Sequence, residues 1–199
     1  MKQNCPILLA SASPRRRDLL ARAGITFTVQ TSEIEESVQA FSTPKEAVKE
    51  LAQRKAVAVY ERYAKGKGVV VLAADTLVSL GRLLLGKPED KAHARDMLEA
   101  LSGRTHQVQT GVCILLPSGL RITFCDQTDV TFRELAPEEI VSYLATDEPM
   151  DKAGAYAIQG GAAKFVRKIQ GDYNNVVGLP IDHVRTLLKQ LHVCAEEDF

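Results

Sequence analysis

Two hydrophobic periodicities alternate along the chain, and together they predict its elements. Ile7 to Ala10 is a short continuous apolar run, as expected of a buried strand. Leu19, Leu20 and Ala23 then give one apolar helix face, with Ser13 as N-cap, Pro14 at the first helical position and Gly24 as the stop. Ile25 to Gln30 alternates apolar with polar residues and predicts a second strand. Thr43-Pro44-Lys45-Glu46 has the form of a capping box, and Val48, Leu51, Ala52, Ala56 and Val59 recur behind it at helical spacing. Val69 to Ala74 is apolar at every position, as in a central strand, and resumes as Leu77 to Leu80 after Asp75-Thr76. Gly81-Arg82 predicts a hairpin turn into Leu83–Leu85, and a helix is expected from about Asp90 to Leu101 with Ala94, Met97, Leu98 and Leu101 inward.

Two long strand-like segments follow, about Thr105 to Leu116 and Leu120 to Phe132, joined at Pro117-Ser118-Gly119. Their length suits a bent ribbon able to pair with another sheet or with a second subunit. Pro137 opens a helix ending near Ala145, with Glu138 and Glu139 placed favourably for its dipole. Phe165 to Ile169 reads as a strand, and a last helix ends near Leu191. The polar residues after Val193 are expected to fray.

At 199 residues the chain has ample length for a packed core, and its 25 Lys and Arg balance 25 Asp and Glu. A balanced charge gives no global reason to expect a nucleic acid or a membrane surface as partner, so any basic site is local. The four cysteines and four histidines are scattered without metal-ligand spacing, and reduced thiols are expected. No signal-peptide pattern or membrane-length apolar run is present, so a cytoplasmic location is expected.

Three stretches carry chemistry that this picture does not explain. Arg15, Arg16 and Arg17 crowd the first turn of the first helix, where the dipole already presents positive charge. They belong there if an anion sits in front of them. Backbone N–H groups, Ser11, Ser13 and guanidinium forks at a helix N-terminus form a phosphate cradle. The alternative is a solvated basic turn. Lys55 falls on or beside the buried stripe of its helix, so it either snorkels to the surface or meets a carboxylate or phosphate. Asp75 interrupts an apolar run and needs a cation, a metal or several donors. It is expected at the carboxyl end of a central strand, where open α/β sheets place ligands, although an Asp bonded to nearby backbone would also satisfy the pattern. Lys87 sits between Gly86 and Pro88, which constrains its backbone. The glycines around Gln159 suggest a loop that approaches a ligand closely and reads it with an amide. The acidic loop containing Glu33, Glu35 and Glu36 is an ordinary solvated loop unless it faces those arginines or a metal ion.

Ser11-Ala12-Ser13-Pro14-Arg15-Arg16, Ala74-Asp75-Thr76, Gly86-Lys87-Pro88, Asp151-Lys152-Ala153-Gly154 and Val177-Gly178-Leu179-Pro180 resemble, in order and spacing, the signatures of the Maf family. The resemblance runs from about Ile7 to Leu191. It implies an α/β fold similar to inosine-triphosphate pyrophosphatases: an elongated, strongly bent mixed β-sheet flanked by helices, with a central cleft. Residues 1–199 would then form a single domain with two lobes around that cleft. It further implies a nucleoside-triphosphate pyrophosphatase that cleaves between the α and β phosphates with a divalent metal, Mg²⁺ or Mn²⁺. By the same resemblance Asp75 would accept the proton of the attacking water, and Glu36 and Asp75 would hold the metal. Arg16, Lys55 and Lys87 would bind phosphate oxygens, assisted by Ser11 and Ser13.

One branch of the family prefers dTTP and UTP, and another 7-methyl-GTP. Arg15, Thr76 and Gln159 stand at the three positions that separate them and resemble the first branch. A Gln amide both donates and accepts, which suits the edge of uracil or thymine. Ala73 stands where a Gly is common in the family. Modified pyrimidine nucleotides are further candidate substrates, with house-cleaning of non-standard nucleotides and division arrest as the implied roles. Two other classes stay open at this point: a nucleotide-binding division regulator without turnover, and a nucleic-acid binder using Arg15 to Arg17. A homodimer through the long ribbon is compatible with the sequence.

Overall fold

Apolar runs become strands and 3.6-period stripes become helices in the computed structural model, which describes residues 2–32, 34 and 43–195. In chain order the elements are β1 (Lys2–Gln3), β2 (Ile7–Leu9), α1 (Pro14–Arg22), β3 (Thr28–Val29), α2 (Pro44–Val59), β4 (Val70–Leu80), β5 (Leu83–Leu85), α3 (Lys91–Leu101), β6 (Thr105–Leu115), β7 (Arg121–Phe132), α4 (Pro137–Leu144), β8 (Val166–Gln170), α5 (Tyr173–Val177), α6 (Ile181–Gln190) and β9 (Cys194–Ala195). A π turn at Tyr60–Ala64 extends α2, and 3-10 turns occur at Glu148–Asp151, Ala153–Ala155 and Gly161–Phe165. Seven strands form one mixed sheet in the order β3-β2-β4-β6-β7-β8, with β5 paired to β4. This is the helix-flanked mixed α/β sheet that the resemblance implies.

The chain divides into two compact units, the first being Met1–Asp75, Thr110–Asp126 and Gly178–Phe199. In this unit β2 runs parallel to β3 on one side and β4 on the other, with Leu9 opposite both Val29 and Leu72. Its core joins Leu8, Ala10, Val71 and Ala73 of the sheet to Ala52, Ala56 and Val59 of α2. Small residues bring the helix close. At Gly111 on β6 a Cβ would lie 2.3 Å from the Val48 carbonyl carbon and oxygen, so the α2 backbone rests directly on the strand. Thr43 caps α2 through the Glu46 N–H at 3.2 Å, as its sequence implied. Cys194 and Ala195, expected to fray, instead pair as β9 with β1, because Asn4 N–H and side chain tie down Val193 and His192 at 2.9 Å each.

The second unit, Thr76–Gln109 with Gln127–Val177, is centred on aromatic rings. Phe132 meets His106 and Tyr156 edge to face at 4.9 Å, and Phe165 at 6.0 Å. His106 is wholly buried, with Nε2 2.9 Å from the Tyr156 hydroxyl. Burial pushes its pKa down to about 4 against a small opposing pull from Asp129, so it is neutral at neutral pH. The short helix α5 was not expected. Its buried Asn175 donates to Val108 O and Thr128 Oγ1, at 3.0 Å each, which pins the turn before Gly178. All four cysteines are free thiols, as expected. No helix among the described residues is long and apolar enough to cross a membrane.

Candidate active site

In the first unit the register of the parallel strands places two chemical groups at one end. Leu9 pairs with Leu72, so Ser11 and Asp75 lie two and three residues beyond the last paired positions of adjacent strands. Asp75 is therefore not at the carboxyl end of its own strand, as expected. It is the sixth residue of the eleven in β4, which outruns β2 because its second half pairs with β5 at Val78↔Leu85. The edge that matters is the carboxyl end of β2, where ligand crevices of α/β sheets open.

Asp75 is 7 % exposed and Lys55 8 %. Lys55 Nζ donates to Asp75 Oδ1 at 2.6 Å. Of the two options for Lys55, snorkelling is overturned. Val48, Leu51, Ala52, Lys55, Ala56 and Val59 share one buried face of α2, and that face is pressed on the sheet, so the ammonium ends against β4. A buried carboxylate without this partner would carry a desolvation penalty of several kcal/mol.

The turn after β2 is built around Ser11. Its Oγ accepts from the Ser13 N–H at 3.2 Å and from Arg16 Nη1 at 3.1 Å. Arg16 Nε donates to the Gly178 carbonyl at 2.8 Å. Ser13 caps α1 with its hydroxyl 3.5 Å from the Arg16 N–H. The arginine that seemed misplaced beside the helix dipole is thus clamped by a hydroxyl and a carbonyl. Gly178, at φ 123°, turns that carbonyl towards it. Arg15 is half-buried beside it and Arg17 exposed. Glu36 lies outside the described residues.

In the second unit Thr76 follows Asp75 on β4, half-buried and on the opposite face by strand alternation. Lys87 is exposed in the loop between β5 and α3, where the Gly86 carbonyl accepts from the Gly154 N–H at 3.0 Å. Gln159 is exposed on the loop between two 3-10 turns. The glycines after it lie against side chains of this chain. A Cβ on Gly160 would lie 2.3 Å from a carboxylate oxygen of Glu148, and Gly161 lies against the Tyr143 ring. Their smallness makes room for this chain's own carboxylate. Glu148 and Tyr143 were not singled out from sequence. The available signal was an acid, Glu148-Pro149, just ahead of the small-residue run.

No group of three His, Cys, Asp or Glu side chains among the described residues is placed to hold a metal. Asp75 contributes hard carboxylate oxygens, one of them bonded to Lys55. Hard carboxylate oxygens are the donor type that Mg²⁺ and Mn²⁺ take.

Comparison with known proteins follows the same lines. A "dTTP/UTP pyrophosphatase" of Bacillus anthracis is 49% identical over 187 residues, covering 94% of this chain and 96% of that protein. One of Bacillus cytotoxicus is 51% identical over 183 residues, covering 92% and 94%. Among solved structures, a HAM1 protein from Coxiella burnetii superposes with a TM-score of 0.54 at 18% identity, covering 94% of this chain and 99% of that one, and so shares the fold. The model of the Maf-like protein family matches residues 6–191, and the chain belongs to that family.

Proposed function

We propose that this protein is a nucleoside-triphosphate pyrophosphatase of the dTTP/UTP branch, releasing the monophosphate and pyrophosphate. The observation that carries the reading is the buried Lys55–Asp75 pair, set beside the Ser11–Arg16 turn at the carboxyl end of β2. A hydrolysis of this kind asks the protein to aim water and neutralise phosphate charge, with little covalent work. Asp75 is the base that takes the proton of the attacking water. An ammonium carries three donors, so Lys55 can hold Asp75 in place and meet a phosphate oxygen as well. Arg16, fixed by Ser11 and Gly178, presents a guanidinium whose direction is already set, which lowers the ordering cost of binding. Ser13 and the first N–H groups of α1 add donors for phosphate. Lys87 is assigned to phosphate, and Arg15, Thr76 and Gln159 to nucleotide choice, by their match to the family motifs.

Glu36 and Asp75 would hold Mg²⁺ or Mn²⁺, which when bound supplies Lewis-acid polarisation of the phosphates. The proposal further treats the chain as one domain acting on free nucleotides in the cytoplasm. Removal of modified pyrimidine nucleotides and a part in division arrest are its cellular side, and the β6–β7 ribbon is the surface assigned to a second copy.

The test is pyrophosphate release from a panel of dTTP, UTP, 5-methyl-UTP, pseudo-UTP, CTP, ATP and 7-methyl-GTP, with Mg²⁺, Mn²⁺ or EDTA. Turnover of dTTP and UTP, abolished by EDTA, is the expected result. Binding without release would make the protein a regulator, and preference for 7-methyl-GTP would move it to the other branch.

A further inference from the structure

The loop that carries Gln159 is tied at both ends to two side chains outside it. Tyr143, from the last turn of α4, accepts the Ala157 N–H on its hydroxyl at 3.1 Å and donates to Glu148 Oε1 at 2.8 Å. Glu148 in turn accepts the Gly161 N–H on both oxygens, at 3.0 and 3.2 Å. Ala157 and Gly161 are the residues two before and two after Gln159. One hydroxyl and one carboxylate therefore fix the two ends of a five-residue loop with Gln159 at its middle. Inside the loop, the Gly160 N–H closes on Ala157 O at 3.0 Å.

The surroundings hold the clamp itself. Tyr143 is 4 % exposed and its ring packs edge to face on Phe165 at 5.3 Å. Burial, with Glu148 adding to it, pushes the phenol well above its ordinary pKa, so it stays a donor towards the carboxylate. Ile158 and Ala162 are buried on either side, and Gln159 is the exposed side chain between them. Hydrogen bonds to a charged acceptor are among the strong ones. An amide that must discriminate a donor–acceptor pattern on a base needs its backbone held to within a fraction of an ångström.

We infer that Tyr143 and Glu148 are positioning residues for nucleotide selection, acting through Gln159 by clamping the Ala157–Gly161 loop. This rests on the assignment of Gln159 to the base, made above. The clamp's hydrogen bonds all go to the backbone of this loop or between its own two side chains, so it acts on which nucleotide is accepted and leaves the hydrolytic step alone.

The experiment compares kcat and KM for UTP, dTTP and CTP in wild type, E148A, E148Q, Y143F, Q159A and the double variant E148A/Q159A. In E148A the KM for UTP and dTTP should rise about tenfold, as for one lost well-placed hydrogen bond, with kcat within threefold of wild type. The preference for UTP over CTP should fall alongside it. Y143F should shift both in the same direction, and E148Q less, since it keeps an acceptor oxygen of the same reach. Adding E148A to Q159A should cost almost nothing more, because both act through one group. Unchanged discrimination in E148A and Y143F, additive losses in the double variant, or an equal fall in kcat for every nucleotide overturns the inference. If E148A does not fold, E148Q and Y143F decide by the same ratios. Wild type that turns over no nucleotide defeats the proposed function instead, a separate and distinguishable outcome.

Discussion

Asp75 and Gln159 are each held in place by a partner within the chain, but by different means. Asp75 belongs to a strand packed on both faces, and its partner Lys55 is delivered by a helix whose backbone lies directly on the sheet at Gly111. Gln159 belongs to a loop kept in shape by hydrogen bonds that its backbone N–H groups donate to Tyr143 and Glu148. The first arrangement is set by core packing and charge, and the second by side-chain hydrogen bonds of modest individual worth. In the proposed function, a group that must present one proton-accepting geometry to every substrate suits the first. A group that distinguishes among substrates can stand on the second, where single substitutions retune it without dismantling the core.

The largest effect expected is at Asp75. Asp75→Asn keeps shape and an oxygen for Lys55 but removes the proposed base, so kcat should fall about 10²–10⁴-fold for all nucleotides alike. The variant should also melt earlier, because Lys55 keeps its charge in a buried site while its partner loses one. Steady-state pyrophosphate release at saturating nucleotide, with thermal melting followed by circular dichroism, checks both. Wild-type kcat in this variant would remove Asp75 from the chemistry and leave the Lys55 pair as a purely structural feature.

The same contrast explains what the sequence revealed. Lys55 and Asp75 were legible because a charge in an apolar stripe or run needs a partner, and each therefore announced a contact across the fold. Arg16 was legible for a similar reason, as a cation at the wrong end of a dipole. What could not be read was which partner each would find. Arg16 is clamped by Ser11, five residues before it, and by the Gly178 carbonyl, on a turn 162 residues away. Asp75 lies mid-strand because the run before it and the hairpin arm after it form one continuous β4, whose second half pairs with β5; the polar Asp75-Thr76 step in the sequence looks like a strand end instead. Glu148 and Tyr143 gave little sign beyond an acid ahead of the small-residue run, since an acid near a helix end and a Tyr on an amphipathic helix are ordinary. Their role exists only once the glycine loop folds back on them. Asn175 is the same case: a polar residue in an unremarkable stretch whose importance lies in Val108 and Thr128.

The next effect in size separates the two supports through their glycines. Gly111→Ala would press a methyl against the Val48 carbonyl at 2.3 Å and the Lys49 nitrogen at 2.7 Å. A helix backbone has no way to yield locally, so α2 must shift as a body. A destabilisation of about 3 kcal/mol is expected, the upper part of the range for overpacking. Because Lys55 rides on the same face of α2 as Val48, turnover should fall equally for UTP, dTTP and CTP. Urea unfolding gives the first quantity and the nucleotide panel the second. Stability unchanged within 0.5 kcal/mol, the size of an ordinary surface substitution, would show that the helix is not seated on Gly111.

Gly160→Ala should have the smaller effect, and its size tests the distinction most directly. Here the new methyl meets Glu148 Oε2 at 2.3 Å and Oε1 at 2.4 Å, atoms at the far end of a side chain that can rotate away. Rotation costs the bonds from Tyr143 and Gly161 but leaves the core of the unit in place, since Phe165, Ala162 and Tyr156 do not depend on them. Glu148 is half-buried, so the freed carboxylate regains water, and a net loss of about 1 kcal/mol is expected. Nucleotide preference, by contrast, should move more in Gly160→Ala than in Gly111→Ala. A melting loss as deep as that of Gly111→Ala, or a fall in turnover common to all nucleotides, would mean that the loop is part of the core and that the two regions are supported alike.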